Sequence, residues 1–261
     1  MKTGFVMPQH DHAPLACRNL TKTYHSTDPA TEVLRGVDLT VGRGEFLAVM
    51  GSSGSGKSTL LYNMSGMDRP TSGTVHLEGR ELTTLKDAEL SRVRLTRMGF
   101  IFQQAYFLNN LNLQDNILLP ALKAAPGDSE AVVSRVDSLM DRFGIDHVRR
   151  HGVTQVSGGQ LQRASICRAL ATEPAVLFAD EPTGALNSSM TTEVMDALTD
   201  AHSGGTTLVM VTHDPVCAAR ADRVVYLRDG RITDSRELGR WRADDGRRED
   251  ELFAWLSGNG F

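Results

Sequence analysis

Cysteine is scarce: Cys17, Cys167 and Cys217 are the only three in 261 residues. They are odd in number, far apart and without metal-ligand spacing, which argues against a disulfide framework or a zinc site and suits reduced thiols in a cytosolic protein. Long apolar runs are also missing, and no stretch approaches the ~18 residues that cross a bilayer. If the chain works at a membrane, another protein is expected to hold it there. The opening MKTGFVMPQHDH has one lysine and an apolar stretch broken at Pro8, so it does not read as a secretory signal. Positive charge is not in excess either. A net charge of -4 gives no overall attraction for nucleic acid, and no nucleic-acid partner is expected. What is present is ordinary, 40% hydrophobic and 23% charged, enough for one large domain or two lobes around a sizeable core.

The densest local signal is GSSGSGKSTLL at residues 51–61, directly after the apolar run FLAVM. Gly51, Gly56, Lys57 and Ser58 fit G-x-x-x-x-G-K-[ST], the phosphate-cradling loop. Glycines let the backbone bend around an anion, so that the N–H groups of Gly51, Ser52, Ser53, Gly54, Ser55 and Gly56 line a concavity. A helix starting at Lys57, Ser58 and Thr59 would aim its positive end at the same place. Lys57 would reach the β- and γ-phosphates, and Ser58 would offer its hydroxyl to Mg²⁺. A flexible Gly/Ser turn is the plainer reading, but the strand before and the helix after favour a nucleoside triphosphate site.

A second signal is AVLFADEP, residues 175–182, where a buried strand ends in Asp180 and Glu181. Ligands of open α/β sheets bind at that strand end. Asp180 would hold Mg²⁺ directly or through water, and Glu181 would polarise the water that attacks the γ-phosphate. A third is VSGGQLQRASICRAL, where Ser157, Gly158 and Gly159 precede a helical pattern and bring free N–H groups and a hydroxyl to a helix start. Taken alone it could equally be a tight N-cap turn.

Along the chain, residues 1–14 read as a loose tail whose His10-Asp-His12 offers only two histidines to a metal. Short strands lead to the phosphate loop. Helical segments at about residues 104–172 read as an inserted lobe, and strand–helix alternation resumes at AVLFA. The predicted fold class is α/β, a P-loop NTPase core with a mainly parallel sheet, an antiparallel β edge and an inserted α-helical lobe. The ATPase domain would span residues 15–233. Residues 234–261 form a charged C-terminal extension, whose RELGRWRADDGRREDE reads as solvated and whose LFAWL is the one candidate surface anchor.

The stretch SGGQ, downstream of the phosphate loop and just before a strand ending in Asp-Glu, resembles the signature of ABC-type ATPases. Other elements are similar to that family in the same order. Tyr24 in NLTKTYH resembles the aromatic that stacks on adenine, and Gln103 in GFIFQQ the glutamine that contacts Mg²⁺ and attacking water, with Gln104 as a competitor. His213 in VMVTHD resembles the γ-phosphate-sensing histidine. Two departures stand out. Asn187 in PTGALNS occupies the place of an aspartate that touches the opposing subunit, and Val156 replaces a commoner leucine.

The resemblance implies an ATPase using ATP and Mg²⁺, in which Ser157, Gly158, Gly159 and Gln160 of one subunit close over ATP held by the other. It implies a homodimer or heterodimer that drives a separate integral membrane permease from the cytoplasmic face of the membrane, as a peripheral subunit. GFIFQ…DNILLP, EPTGALNS and VTHD resemble the lipoprotein-release, macrolide-export and antimicrobial-peptide subgroup. The alternative is a soluble ABC-type switch in DNA repair or translation. Relatives of that kind typically carry two nucleotide domains or a long insertion, and neither is seen here.

Overall fold

The computed structural model describes residues 13–25 and 29–261, so the His10-Asp-His12 pair lies outside the described residues. In chain order the elements are β1 (Leu15–Tyr24), β2 (Thr31–Val41), β3 (Phe46–Met50), α1 (Lys57–Met64), β4 (Ser72–Leu77), β5 (Arg80–Glu81), α2 (Asp87–Arg97) and β6 (Met98–Phe102). The helices α3 (Leu113–Ala124), α4 (Ser129–Arg142) and α5 (Gly158–Leu170) follow, then β7 (Val176–Asp180), α6 (Ser188–Ser203) and β8 (Thr207–Val211). The last elements are α7 (Pro215–Ala218), β9 (Arg223–Arg228), β10 (Arg231–Glu237) and α8 (Arg248–Gly258).

Two sheets form. The antiparallel part is a sheet of its own, ordered β2-β1-β4-β5. The larger sheet is ordered β10-β9-β3-β8-β7-β6, parallel throughout except for β10 at its edge. Every residue of β3, β7 and β8 is buried, as expected of parallel strands covered on both faces. Successive side chains point to opposite faces of a strand. Phe46, Ala48 and Met50 accordingly join a core with α3, α4, α5, α6 and α8, while Leu47 and Val49 join another with α1, α2 and the antiparallel sheet. The large sheet is the middle layer.

Register then places the site. Val49 of β3 lies opposite Val211 of β8, Val211 opposite Asp180 of β7, and Asp180 opposite Phe102 of β6. One row across four parallel strands therefore ends just before the phosphate loop, His213, Glu181 and Gln103. Four segments that are remote in sequence emerge side by side at the carboxyl edge of one sheet, where ligands of such sheets bind.

The segment after residue 233 corrects the sequence reading in part. Residues 236–251 mostly face solvent, as their charge balance implies, but β10 continues to Glu237 and α8 packs on the large sheet's helical face, with Leu252 and Leu256 completely buried. Arg248 is buried as well. Its guanidinium donates to the carbonyls of Ala219, Ala221, Leu238, Gly239 and Arg240. A charge count treats every arginine as solvent-facing, whereas this one satisfies its five donors on main-chain oxygens. The LFAWL stretch is part of this packing, with Trp255 Nε1 donating to Asp234 at 2.9 Å. Among the described residues no helix is long and apolar enough to cross a membrane.

Candidate active site

The loop at residues 51–56 is shaped by positions that tolerate no side chain. A Cβ at Gly51 would lie 2.1 Å from the Leu227 carbonyl oxygen, and Gly56 caps α1 with φ at 101°. The first turn of α1 has no side-chain cap and no acidic residue, so its N–H groups and positive dipole end stay available to an anion. Lys57 folds back over the loop, and its Nζ donates to Gly51 O at 2.9 Å and Ser52 O at 3.0 Å. Partial burial lowers the pKa of this ammonium, with Glu181 and Asp180 pulling the other way. A cavity of about 440 Å³ opens here, lined by Ser53, Gly54, Gly56, Lys57, Thr59 and Glu181 among others. Another of about 400 Å³ brings Gly51, Ser52 and His213 together with Lys57 and Glu181. Its wall includes Phe261, which the sequence did not single out.

Asp180 closes the inner end of the site. Its Oδ1 accepts from Ser58 Oγ at 2.9 Å and its Oδ2 from Tyr62 OH at 2.6 Å. Tyr62 was not predicted, although it lies four residues after Ser58 on one helix and so shares its face. Burial and the neighbouring Asp180 push its phenol up, which keeps the hydroxyl a donor. Ser58 and Asp180 form a donor set of hard oxygens, suited to a small divalent cation that takes its remaining ligands from phosphate and water. Among the described residues no group of three His, Cys, Asp or Glu side chains can hold a metal without such outside ligands.

Glu181 stands at φ 47°, a left-handed conformation that costs a non-glycine residue about 1–2 kcal/mol and is typical of functional positions. Its N–H donates to Val211 O at 2.9 Å, which ties the turn to β8. The carboxylate Oε2 accepts from His213 Nδ1 at 3.0 Å. Gln103 sits against the backbone after Glu181, since a Cβ at Gly184 would meet Gln103 Nε2 at 3.0 Å. Of the two adjacent glutamines, Gln103 is the one in contact there.

Ser157–Gln160 are not brought to this place. None of them lines the two phosphate-loop cavities. Ser157 Oγ accepts from Gln160 N–H at 3.2 Å, Gln160 Oε1 accepts from Ser157 N–H at 2.9 Å, and this box starts α5. Gly158 and Gly159 pack beside Leu186 and Met190, where an added Cβ would make 3.2 Å contacts. Asn187 lies between those two residues in sequence and caps α6, its Oδ1 accepting from Met190 N–H at 3.0 Å and Ser189 Oγ at 2.9 Å. Tyr24 donates through its hydroxyl to Asp68 at 2.8 Å and keeps a partly exposed ring.

Comparison with known proteins agrees with this geometry. The sequence pattern of the family described as ABC transporter matches residues 34–184, more than half of the chain. The macrolide export ATP-binding/permease protein MacB 1/2 of Paracoccus denitrificans is 44% identical over 90% of this chain. The chain spans only 35% of that protein's length. The lipoprotein-releasing system ATP-binding protein LolD of Shewanella frigidimarina is 42% identical over 86% of this chain and 94% of its own length. The fold matches the dimeric bacterial ABC transporter cassette MJ0796 with a TM-score of 0.80 at 35% identity, covering 87% of this chain and all of the cassette. Its layers, the phosphate loop at the sheet's carboxyl edge and these likenesses place the chain in the ABC transporter family, among the ATP-binding proteins.

Proposed function

We propose that the chain hydrolyses ATP and powers a separate membrane permease, in export or extraction of a lipophilic or peptide-like substrate. The observation that carries this is the register row that brings the start of the phosphate loop, His213, Glu181 and Gln103 to one sheet edge. Lys57 and the uncapped start of α1 bind and orient the triphosphate. Ser58 and Asp180 would hold Mg²⁺, which neutralises phosphate charge when bound. Glu181 accepts a proton from the attacking water, and the bond from His213 fixes the carboxylate while leaving its other oxygen free. Gln103 positions water from the neighbouring strand.

Ser157–Gln160 stand apart from the chain's own phosphate loop, which supports a role toward ATP held by a second subunit. On this reading two chains, identical or similar, sandwich ATP, close on binding and reopen after hydrolysis. A largely apolar groove of about 430 Å³, lined by Met67, Phe100, Phe102, Tyr106 and Pro120 among others, includes the residue just before Gln103 and supports docking of a permease there. The permease would hold the chain at the cytoplasmic face of the membrane. Relatives named for macrolide export, bacitracin export and lipoprotein release support the substrate class.

The test is the chain purified alone and co-expressed with a candidate multi-span permease, sought first in the neighbouring reading frames. The wild type is expected to hydrolyse ATP with Mg²⁺ and to move to the membrane fraction when the permease is present. Lys57→Ala should abolish turnover, greatly weaken ATP binding and leave the melting curve unchanged. Normal hydrolysis by Lys57→Ala, or no association with the permease, would overturn the reading.

A further inference from the structure

Tyr62 has no part in the chemistry described above, yet it makes the shorter of the two hydroxyl bonds to Asp180. Ser58 and Tyr62 are one helical turn apart on α1, so their side chains rise from the same face. Each takes one oxygen of the same carboxylate. Ser58 Oγ donates to Oδ1 at 2.9 Å, and Tyr62 OH donates to Oδ2 at 2.6 Å. Asp180 is itself buried at the end of β7, which leaves its carboxylate little freedom beyond these partners. The backbone beneath Tyr62 is tied too, with Met67 N–H and Asp68 N–H both donating to the Tyr62 carbonyl. The phenol is thus presented from a fixed helix end.

This arrangement has a consequence for cation choice, and it rests on the Mg²⁺–ATP reading above. A carboxylate binds a cation through both oxygens only when both turn toward it. Here Oδ2 is turned to Tyr62, and Oδ1 alone is shared with Ser58. We propose that Tyr62 is a positioning residue that holds Asp180 to one-oxygen coordination and so biases the triphosphate site toward Mg²⁺ over Ca²⁺. The chemistry of the two ions gives the direction. Mg²⁺ is held at about 2.0–2.1 Å in near-ideal octahedral geometry by one or two carboxylates, phosphates and water. Ca²⁺ sits at about 2.3–2.6 Å, takes 6–8 oxygens and accepts bidentate carboxylates readily. Freeing Oδ2 therefore helps the larger ion more. Hydrogen-bond partners of metal ligands commonly change metal affinity by about 10–100-fold when removed.

The experiment titrates Mg²⁺ and, separately, Ca²⁺ into the full chain with a fluorescent, non-hydrolysable ATP analogue and reads the concentration for half-maximal binding. Tyr62→Phe removes one hydroxyl and keeps the ring. The expected result is a fall of about tenfold in the ratio of the Ca²⁺ to the Mg²⁺ midpoint. Binding of the analogue in excess chelator should match the wild type. An unchanged ratio, an equal weakening with both ions, or a rise in the ratio would overturn the proposal, because a merely space-filling tyrosine does not discriminate between cations. Asp180→Asn separates the two levels of inference. If it removes metal dependence while Tyr62→Phe behaves as wild type, the Tyr62 proposal alone fails. If Asp180→Asn keeps the full metal dependence, the metal-site reading fails and takes the proposal with it.

Discussion

Glu181 Oε2 stands 3.0 Å from His213 Nδ1 although 32 positions separate the residues in sequence. The proximity follows from the sheet, since β7 and β8 are neighbouring parallel strands whose last residues, Asp180 and Val211, are paired. A further tie is the Glu181 N–H to Val211 O, which holds the left-handed turn that aims the carboxylate. The histidine and the carboxylate therefore share the same few ångströms of space.

Glu181→Gln tests the division of labour. The amide retains size and can still accept from His213, but it lacks a basic oxygen. Turnover is expected to fall by about 10²–10⁴-fold, the usual worth of a positioned acid–base group. ATP affinity should hold. With hydrolysis blocked, the protein should accumulate as a closed dimer at saturating ATP and Mg²⁺, read by light scattering. A variant that stays monomeric there, with the permease present, would count against the two-subunit sandwich.

Much of this site was legible because it is local in sequence. The phosphate loop is one contiguous motif, and Asp180 and Glu181 end one apolar run, so short-range spacing fixes their setting. The parallel strands were equally readable as continuous apolar segments between helical ones. Contacts made across the fold were not. Tyr62 meets Asp180 over 118 positions, and only the pairing of α1 with β7 at the sheet edge reveals it. The end of the chain was legible only in part. Charge balance over residues 236–251 says solvent and most of that stretch is exposed, but Arg248 turns its guanidinium onto five carbonyls, and Leu252 and Leu256 just beyond it pack into the core. Composition cannot tell an arginine facing water from one facing backbone.

Asn187 departs from the aspartate of the family pattern, and its side chain has a structural occupation. Its Oδ1 caps α6 through Met190 N–H. Asn187→Ala is expected to cost about 1 kcal/mol of stability in a denaturant melt. Asn187→Asp keeps the acceptor and places a negative charge at the helix's positive end, worth about 0.3–1 kcal/mol in favour of the variant. Basal hydrolysis rate and the Hill coefficient for ATP should match the wild type, with and without the permease. A higher rate or cooperativity in Asn187→Asp would instead show that the missing charge weakens coupling between the two ATP sites.

Acid sensitivity should be traceable to Asp222. Burial pushes this carboxyl up, but hydrogen bonds from His202 and from the Phe46 N–H, with the charges of His202 and Arg240, outweigh it and hold the group below its usual range. The folded carboxyl then binds its proton at lower pH than the unfolded one. Its stabilising contribution is complete above the ordinary value of 3.8 and is lost as pH falls through the lower, folded value. Asp222→Asn should lower stability at neutral pH and flatten the loss between neutral and acid conditions, measured as melting temperature against pH. A variant whose curve falls in parallel with the wild type would assign the acid sensitivity to other carboxylates.

Arg248 should be the anchor of the C-terminal helix. Removing its guanidinium leaves the carbonyls of Ala219, Ala221, Leu238, Gly239 and Arg240 without that donor. Each buried polar group left unpaired costs about 1–3 kcal/mol, but water entering the vacated space recovers part of the total. Arg248→Ala is therefore expected to cost about 3 kcal/mol, within the range of severe single substitutions. Arg248→Lys should rescue little, because an ammonium has three donors and cannot match the planar fork. Leu252 packs on the same face with no exposed surface, so Leu252→Ala should cost about 2–5 kcal/mol by opening a cavity. The two variants differ in where the damage appears. Hydrogen exchange in Arg248→Ala should rise across residues 248–258 and at the 238–240 segment while the β3 and β8 amides stay protected. If the 248–258 amides exchange as slowly in Arg248→Ala as in the wild type, the leucines alone hold α8, and the guanidinium serves only to satisfy the turn it crosses.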